Sequence, residues 1–272
     1  MRNSKYWSFI GLFMVILVSG CSMDKVREQA DELYKEGEFK AAAAKYDRVI
    51  KMEKNNHFAL YNRGRALEEI GEFDRAYSDF TKLINMQKYT RKAMMARARC
   101  SYGMENYKGS VMDLNVLLKG EPDNLEALQL RGNSYLKMGE ASKASDDLDK
   151  VVDRDPNNVH ALVSRGAAYA RMGMGPFAID NFERALRIDP DIPVAYFNMG
   201  VVYLHHQYWS EALRYFNIAL DKDPDYAQAM TRKGLVKLNS ERYSLAQACA
   251  DFKKGQEMGD DEAAEFISEN CR

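Results

Sequence analysis

Apolar residues along this chain fall into short runs of helical spacing, punctuated by evenly placed glycines and prolines. Between residues 125 and 158, Leu128, Arg131-Gly132 and Tyr135 share one face of a predicted helix, and Ala144, Leu148 and Val151 share a face of the next. Gly139 separates the two runs, where a residue of left-handed conformation ends a helix. Gly37, Gly71 and Gly173 stand at the same place in other blocks. An Asp-Pro or Glu-Pro pair closes the second run, because proline drives the residue before it out of the α region. The predicted unit is helix, turn, helix.

That unit recurs every 34 residues. Arg63-Gly64, Arg97-Ala98, Arg131-Gly132 and Arg165-Gly166 are spaced on this ruler, and Met199-Gly200 and Lys233-Gly234 continue it. Pro122, Pro156, Pro190 and Pro224 keep the same period. Seven blocks result: 23–56, 57–90, 91–124, 125–158, 159–192, 193–226 and 227–260, with 261–272 left as a tail. Repeats of this length stack side by side, each covering its neighbour's apolar face. Gly64, Gly132, Gly166, Gly200 and Gly234 lie inside first helices, where glycine costs ~1 kcal/mol against alanine. A close approach between the paired helices would justify them, and the small residue twelve positions on (Ala76, Ala144, Ala178, Ala212) is the expected partner.

These residues resemble the tetratricopeptide repeat family. The sixth block carries its pattern most fully, with Tyr196, Gly200, Tyr203, Trp209, Ala212, Phe216, Ala219 and Pro224. The resemblance covers nearly the whole chain after residue 22. It implies an all-α, right-handed superhelical solenoid of about seven repeats, with the tail from Asp261 as a short capping helix. Ala30 and Lys54 depart from the pattern in the first block, which suits an edge repeat. Ala141 and Gly175 replace an aromatic, so a looser joint or a pocket is expected beside them. The seventh block runs about two residues long before Asp251-Phe252.

The first twenty residues read as an export signal. Arg2 and Lys5 precede an uncharged run from Tyr6 to Val18, too short at 13 residues to span a bilayer as a helix. Val18-Ser19-Gly20-Cys21 resembles a bacterial lipobox, which implies cleavage after residue 20 and lipidation of Cys21. An ordinary secretory signal, or a short anchor, with a chance cysteine is the other reading. A lipid-anchored, extracytoplasmic protein is the expectation, on the periplasmic face of the outer membrane if the host is Gram-negative. Outside the cytosol disulfides persist, and Cys249 and Cys271 stand 22 residues apart where a staple would hold the last helix. Three unrelated buried thiols, counting Cys100, remain the alternative.

With 39 basic and 40 acidic residues, the chain lacks the cationic excess of a general nucleic-acid binder. The arginine series invites reading as a stripe for an acidic ligand. Asp79, Asp113, Asp147 and Asn181 answer it sixteen residues on, however, and where the base is absent the acid is too, at Gln29 with Lys45 and Met199 with Tyr215. Structural pairs between the helices of a repeat are therefore favoured, with Lys233 expected to face Asp251. His57, His160, His205 and His206 form no metal motif, and neither a nucleophile elbow nor a phosphate-cradling loop is present in the sequence. No catalytic residue, metal or cofactor is expected.

The resemblance places a concave groove on the first helices. Tyr61, Arg65, Lys92, Met95, Arg99 and Tyr102, with Glu68, would line its N-terminal part as an aromatic and basic patch. Val194, Phe197, Val201, Leu204 and Leu235 would line an apolar C-terminal part. The expected function is a membrane-anchored adaptor or assembly factor that holds another envelope protein in this groove, similar to pilotin-type or outer-membrane assembly lipoproteins. The alternative is an extracytoplasmic binding protein for a peptide, glycan or small ligand.

Overall fold

The computed structural model describes residues 24–271; the leader and Cys21 lie outside this range. The chain forms two compact units, divided between Ala127 and Leu128. The described residues are helical, with no strand among them.

In the first unit α1 covers residues 24–35. It is followed by α2 (Phe39–Met52), α3 (His57–Glu69), α4 (Phe73–Asn85), α5 (Thr90–Gly103) and α6 (Tyr107–Gly120). The unit ends on the first residues of α7 (Leu125–Lys137). From α2 to α6 each helix packs on the next, and α3 also touches α5, so the first helices of neighbouring repeats form a layer of their own. Tyr46, Leu60, Leu67, Phe80 and Leu83 are at most 1% exposed and fill the space between the layers.

The second unit takes up α7 at Leu128 and continues through α8 (Ala141–Arg154), α9 (Val159–Arg171), α10 (Gly175–Ile188), α11 (Pro193–His205) and α12 (Trp209–Lys222). It finishes with α13 (Ala227–Asn239), α14 (Leu245–Glu257) and α15 (Glu262–Asn270). Consecutive helices pair from α8 onward, and α9, α11 and α13 touch as first helices. Phe182, Phe216 and Phe252 stand at the centre of successive pairs with no exposed surface.

The ends of the helices follow from local chemistry. Asn56, Asn124 and Asn158 each accept a hydrogen bond from a backbone N–H three residues on, and Ser244 and Gln247 form a reciprocal capping box. Gly139 and Gly173 turn the chain at φ +78° and +74°. Where other blocks lack glycine at that position, Glu105 and Gln207 adopt the same left-handed conformation at φ 58° and 61°. The geometry belongs to the repeat rather than to the glycine.

The interior glycines have a different partner from the expected one. A Cβ on Gly166 would lie 2.5 Å from Phe182 Cε1, and on Gly64 2.7 Å from Phe80 Cζ. Gly200 and Gly234 meet Phe216 and Phe252 in the same way, each at 2.7 Å, and Gly132 meets Leu148 at 2.9 Å. The obstacle is thus the large apolar side chain one turn beyond the small residue. Ala144 and Ala248 contribute only secondary contacts through their carbonyl oxygens, at 3.4 and 3.1 Å.

The arginine series does pair within repeats. Arg97 and Arg131 each grip Asp113 and Asp147 through Nε and Nη2, at 2.6–2.7 Å. Arg63 holds Asp79 ahead of it and Asp47 behind it, and Arg165 holds Asn181 ahead and Asp149 behind. The guanidinium groups of Arg63 and Arg165 therefore link the second helix of their own repeat to that of the preceding one. Lys45 donates to Gln29 at 2.8 Å at the same spacing, a hydrogen bond without an acid in place of the ion pair. The expected Lys233–Asp251 pair is corrected: Lys237, one turn later, reaches Asp251 at 2.7 Å. The two extra residues ahead of Asp251 change which turn faces it.

Cys249 and Cys271 are joined by a disulfide, with Cα atoms 5.6 Å apart. It ties the end of α15 to α14, on which Phe266 also stacks against Phe252 at 5.1 Å between ring centres. Cys100 is a buried free thiol.

Candidate partner groove

A concavity on the expected inward surface lies in the second unit. Ala167, Ala170 and Arg171 of α9, Phe197, Asn198, Val201, Leu204 and His205 of α11, and Arg232 of α13 enclose about 450 Å³. Phe197 is fixed from below, 5.7 Å from the ring of Phe216 and 5.0 Å from that of Tyr226. Val201 and Leu204 pack with it over Ala212 and Val236. The floor is therefore apolar and rigid. The rim is polar: Arg232 is paired with Glu262 at 2.7 and 2.8 Å, and Arg171 donates to the Leu136 carbonyl.

Of the expected C-terminal groove residues, Phe197, Val201 and Leu204 come together here. Val194 is exposed on the first turn of α11 and Leu235 is half-buried on α13; neither lines the cavity. Ala167, Ala170, Arg171, Asn198 and Arg232 were not foreseen. Two of them are alanines, which carry no chemical signal in a sequence, yet a groove needs small side chains where its neighbours are to stand proud.

Beside Gly175 a smaller cavity of about 120 Å³ is lined by Gly173, Val201, Val202, His205 and His206. The expected opening is mostly filled, since a Cβ on Gly175 would lie 2.8 Å from His206 Nε2. His205 and His206 are exposed with rings inclined at 82°. Among the described residues no cluster of three potential ligands could hold a metal ion.

The N-terminal patch differs from expectation in two ways. Met95 is 7% exposed and belongs to the packing of α5, which corrects its assignment to the groove: it has no surface to offer a partner. Arg99 is not a free cation. Its guanidinium bonds both oxygens of Glu68 and reaches Glu126 at 2.9 Å, and although burial opposes its charge, these carboxylates keep it firmly protonated. Arg65 lies 5.0 Å over the ring of Tyr34, and Tyr61 packs on Tyr89 at 5.2 Å. Tyr102 meets Tyr107 edge to face at 5.3 Å, and Lys92 is exposed. The patch is aromatic, but much of its positive charge is already neutralised.

Stacked helix pairs and a shaped concave surface mark a helical-repeat scaffold. The tetratricopeptide repeat profiles match residues 27–87 and 130–193 in one form and 193–226 in another, and the chain belongs to this family. No curated protein matches it. Among solved structures, a tetratricopeptide repeat protein from Parabacteroides merdae ATCC 43184 is similar over 92% of this chain and 99% of its own, with a TM-score of 0.78 at 20% identity. YrrB, described as a TPR protein with an unusual peptide-binding site, covers 69% of this chain and 97% of its own, with a TM-score of 0.55 at 22% identity. MamA from Desulfovibrio magneticus RS-1 gives a TM-score of 0.58 at 21% identity, over 62% of this chain and 95% of its own. At these identities the likeness is one of fold. That fold is the tetratricopeptide solenoid.

Proposed function

We propose that this protein is a non-catalytic adaptor of the bacterial envelope, tethered by acyl chains on Cys21, that holds a segment of a partner protein against α9, α11 and α13. The observation that carries the reading is the groove around Phe197: a rigid apolar floor, a rim of hydrogen-bonding side chains and a volume of about 450 Å³. Such a surface suits the apolar side chains of a docked strand or helix, while polar rim groups fix its register. The peptide-binding site named for YrrB is consistent with this use. The leader and lipobox support the tether, and a disulfide at the end of the chain fits an oxidising compartment. Among the described residues no helix is long and apolar enough to cross a membrane.

Photoreactive residues placed in cells at Phe197 and Tyr61, with exposed Met112 and Phe177 as controls, test the groove. Capture of one protein from Phe197 and not from the controls supports it; capture from the controls alone removes it. Alkyne-palmitate labelling that disappears in Cys21→Ala tests the tether. The cavity also lies within the ~300–1,000 Å³ range of small-molecule sites. A thermal shift with peptides or glycans, and no captured protein, would favour a ligand-binding role instead.

A further inference from the structure

The turns that join successive repeats divide by charge. At one position of the repeat, Pro122, Pro156, Pro190 and Pro224 are flanked by acids, as in Glu121-Pro122-Asp123 and Asp189-Pro190-Asp191. The first two turns have Lys54 and Lys88 at that position instead. Proline is a ready helix stop there, and lysine takes its place twice running, once in the edge repeat and once in the next.

Structure brings these two turns and the start of α1 to one edge of the first unit. The Arg27 guanidinium lies 5.5 Å over the ring of Phe58, the His57 ring is 5.5 Å from that of Tyr89, and Lys82 donates to the carbonyl of Lys54. Between them is an open hollow of about 690 Å³, lined by Arg27, Glu53, Lys54, His57, Phe58 and Tyr89 among others; Asp24 pairs with Arg27 at 3.1 Å, so the cationic excess of this edge comes from its lysines. Two side chains of interfacial character stand out from this edge: Met52 is 69% exposed and Tyr89 39%. Tyr89 does so from a left-handed backbone at φ 49°, a conformation that residues with a side chain seldom adopt. The turn bears strain to present an aromatic beside lysines.

We infer that this edge of the first unit rests on an anionic lipid surface. Position favours lipid over an acidic protein. Cys21 is three residues before the start of α1, and an extended chain spans at most about 3.6 Å per residue, so an acyl-bearing Cys21 would lie within about 11 Å of this edge. That is close to the Debye length of about 8–10 Å, inside which lysines feel the headgroup charge. Tyrosine prefers the bilayer interface, and one lipid signal holds better when a basic patch seconds it. The inference rests on the tether proposed above and deepens it, by stating which edge faces the membrane.

The test uses residues 22–272 of the chain, unacylated, so that its failure is distinct from a failure of Cys21 labelling. Sedimentation with vesicles of phosphatidylglycerol and phosphatidylcholine should show binding that falls as salt rises, with none to phosphatidylcholine alone. Each lysine near an anionic surface contributes ~1 kcal/mol, so Lys51→Glu/Lys54→Glu/Lys88→Glu should weaken binding by on the order of a hundredfold or more. Lys137→Glu/Lys253→Glu/Lys254→Glu, with the same change of net charge, should retain most of it. Tyr89→Trp should show blue-shifted emission on the mixed vesicles. Circular dichroism confirms that both triple variants fold. Equal loss in both triple variants, absence of vesicle binding, or binding to polyglutamate but not to vesicles would each overturn the inference.

Discussion

Replacing Gly166 by alanine sets two physical effects of opposite sign against each other. Alanine in a helix interior is favoured over glycine by ~1 kcal/mol, and on that ground alone the variant would gain stability. Its Cβ, however, would lie 2.5 Å from Phe182 Cε1 and 2.9 Å from both Cδ1 and Cζ. Carbon contacts are comfortable at ~3.5–4.0 Å, so the ring would have to retreat by roughly 1 Å. Phe182 has no exposed surface and nowhere free to go. Overpacking of this kind costs ~1–3 kcal/mol, which leaves a net loss of about 1–2 kcal/mol. The third repeat shows the compensated version, with Ala98 and Leu114 at the corresponding positions, both fully buried. Gly166→Ala/Phe182→Leu should therefore cost less than the sum of its single variants, with a coupling of about 1 kcal/mol. Urea titrations followed by circular dichroism supply the free energies, provided the slope is unchanged between variants. Gly120→Ala, where a Cβ meets nothing within 4 Å, serves as the control and should be neutral or slightly stabilising. A Gly166→Ala variant as stable as its parent, or strictly additive with Phe182→Leu, would refute the close-approach account.

The inter-helix arginine links give a second prediction: Asp147→Ala should cost about 2–4 kcal/mol by stripping Arg131 of a bidentate partner in a site where Asp147 is 3% exposed, whereas Asp147→Asn should cost clearly less, as Asn181 already serves Arg165, both read from denaturation midpoints. Burial pushes the Cys100 thiol up to about 12, so the folded Cys21→Ala variant should resist maleimide at pH 8 and react only as it unfolds; prompt labelling of that variant in its native state would contradict this. Reducing the Cys249–Cys271 bond should lower stability by about 2–4 kcal/mol and raise amide exchange in α15 first, measured by mass spectrometry on oxidised and reduced samples.

The repeat architecture was legible because each block states it again: a misread turn in one is corrected by its neighbours at the same phase. The ion-pair reading of the arginines was available for the same reason, since Arg63, Arg97 and Arg131 each have an acid sixteen residues on, and where Gln29 and Met199 replace the base the acid is gone too. What escaped was contact detail set by side-chain reach. The glycine contact fell on Phe80 and Phe182 rather than Ala76 and Ala178 because a ring one turn further on extends across the helix pair, which spacing alone does not convey. Lys237 replaced Lys233 where an insertion broke the phase. In the groove, Phe197, Val201 and Leu204 stood out as apolar residues on an inward face, while Ala167 and Ala170 shape the same hollow by being small. Met95 had the right position but lay too deep, and Arg99 the right charge but prior partners.

The central claim is that a partner docks on α9, α11 and α13, and one binding measurement meets it directly. Calorimetric titration of the protein captured from position 197 into the wild-type chain and into Val201→Arg, which sets a charged side chain over the apolar floor, should show affinity reduced at least a hundredfold with helicity unchanged. Equal affinity for the two would place the partner elsewhere and contradict the account.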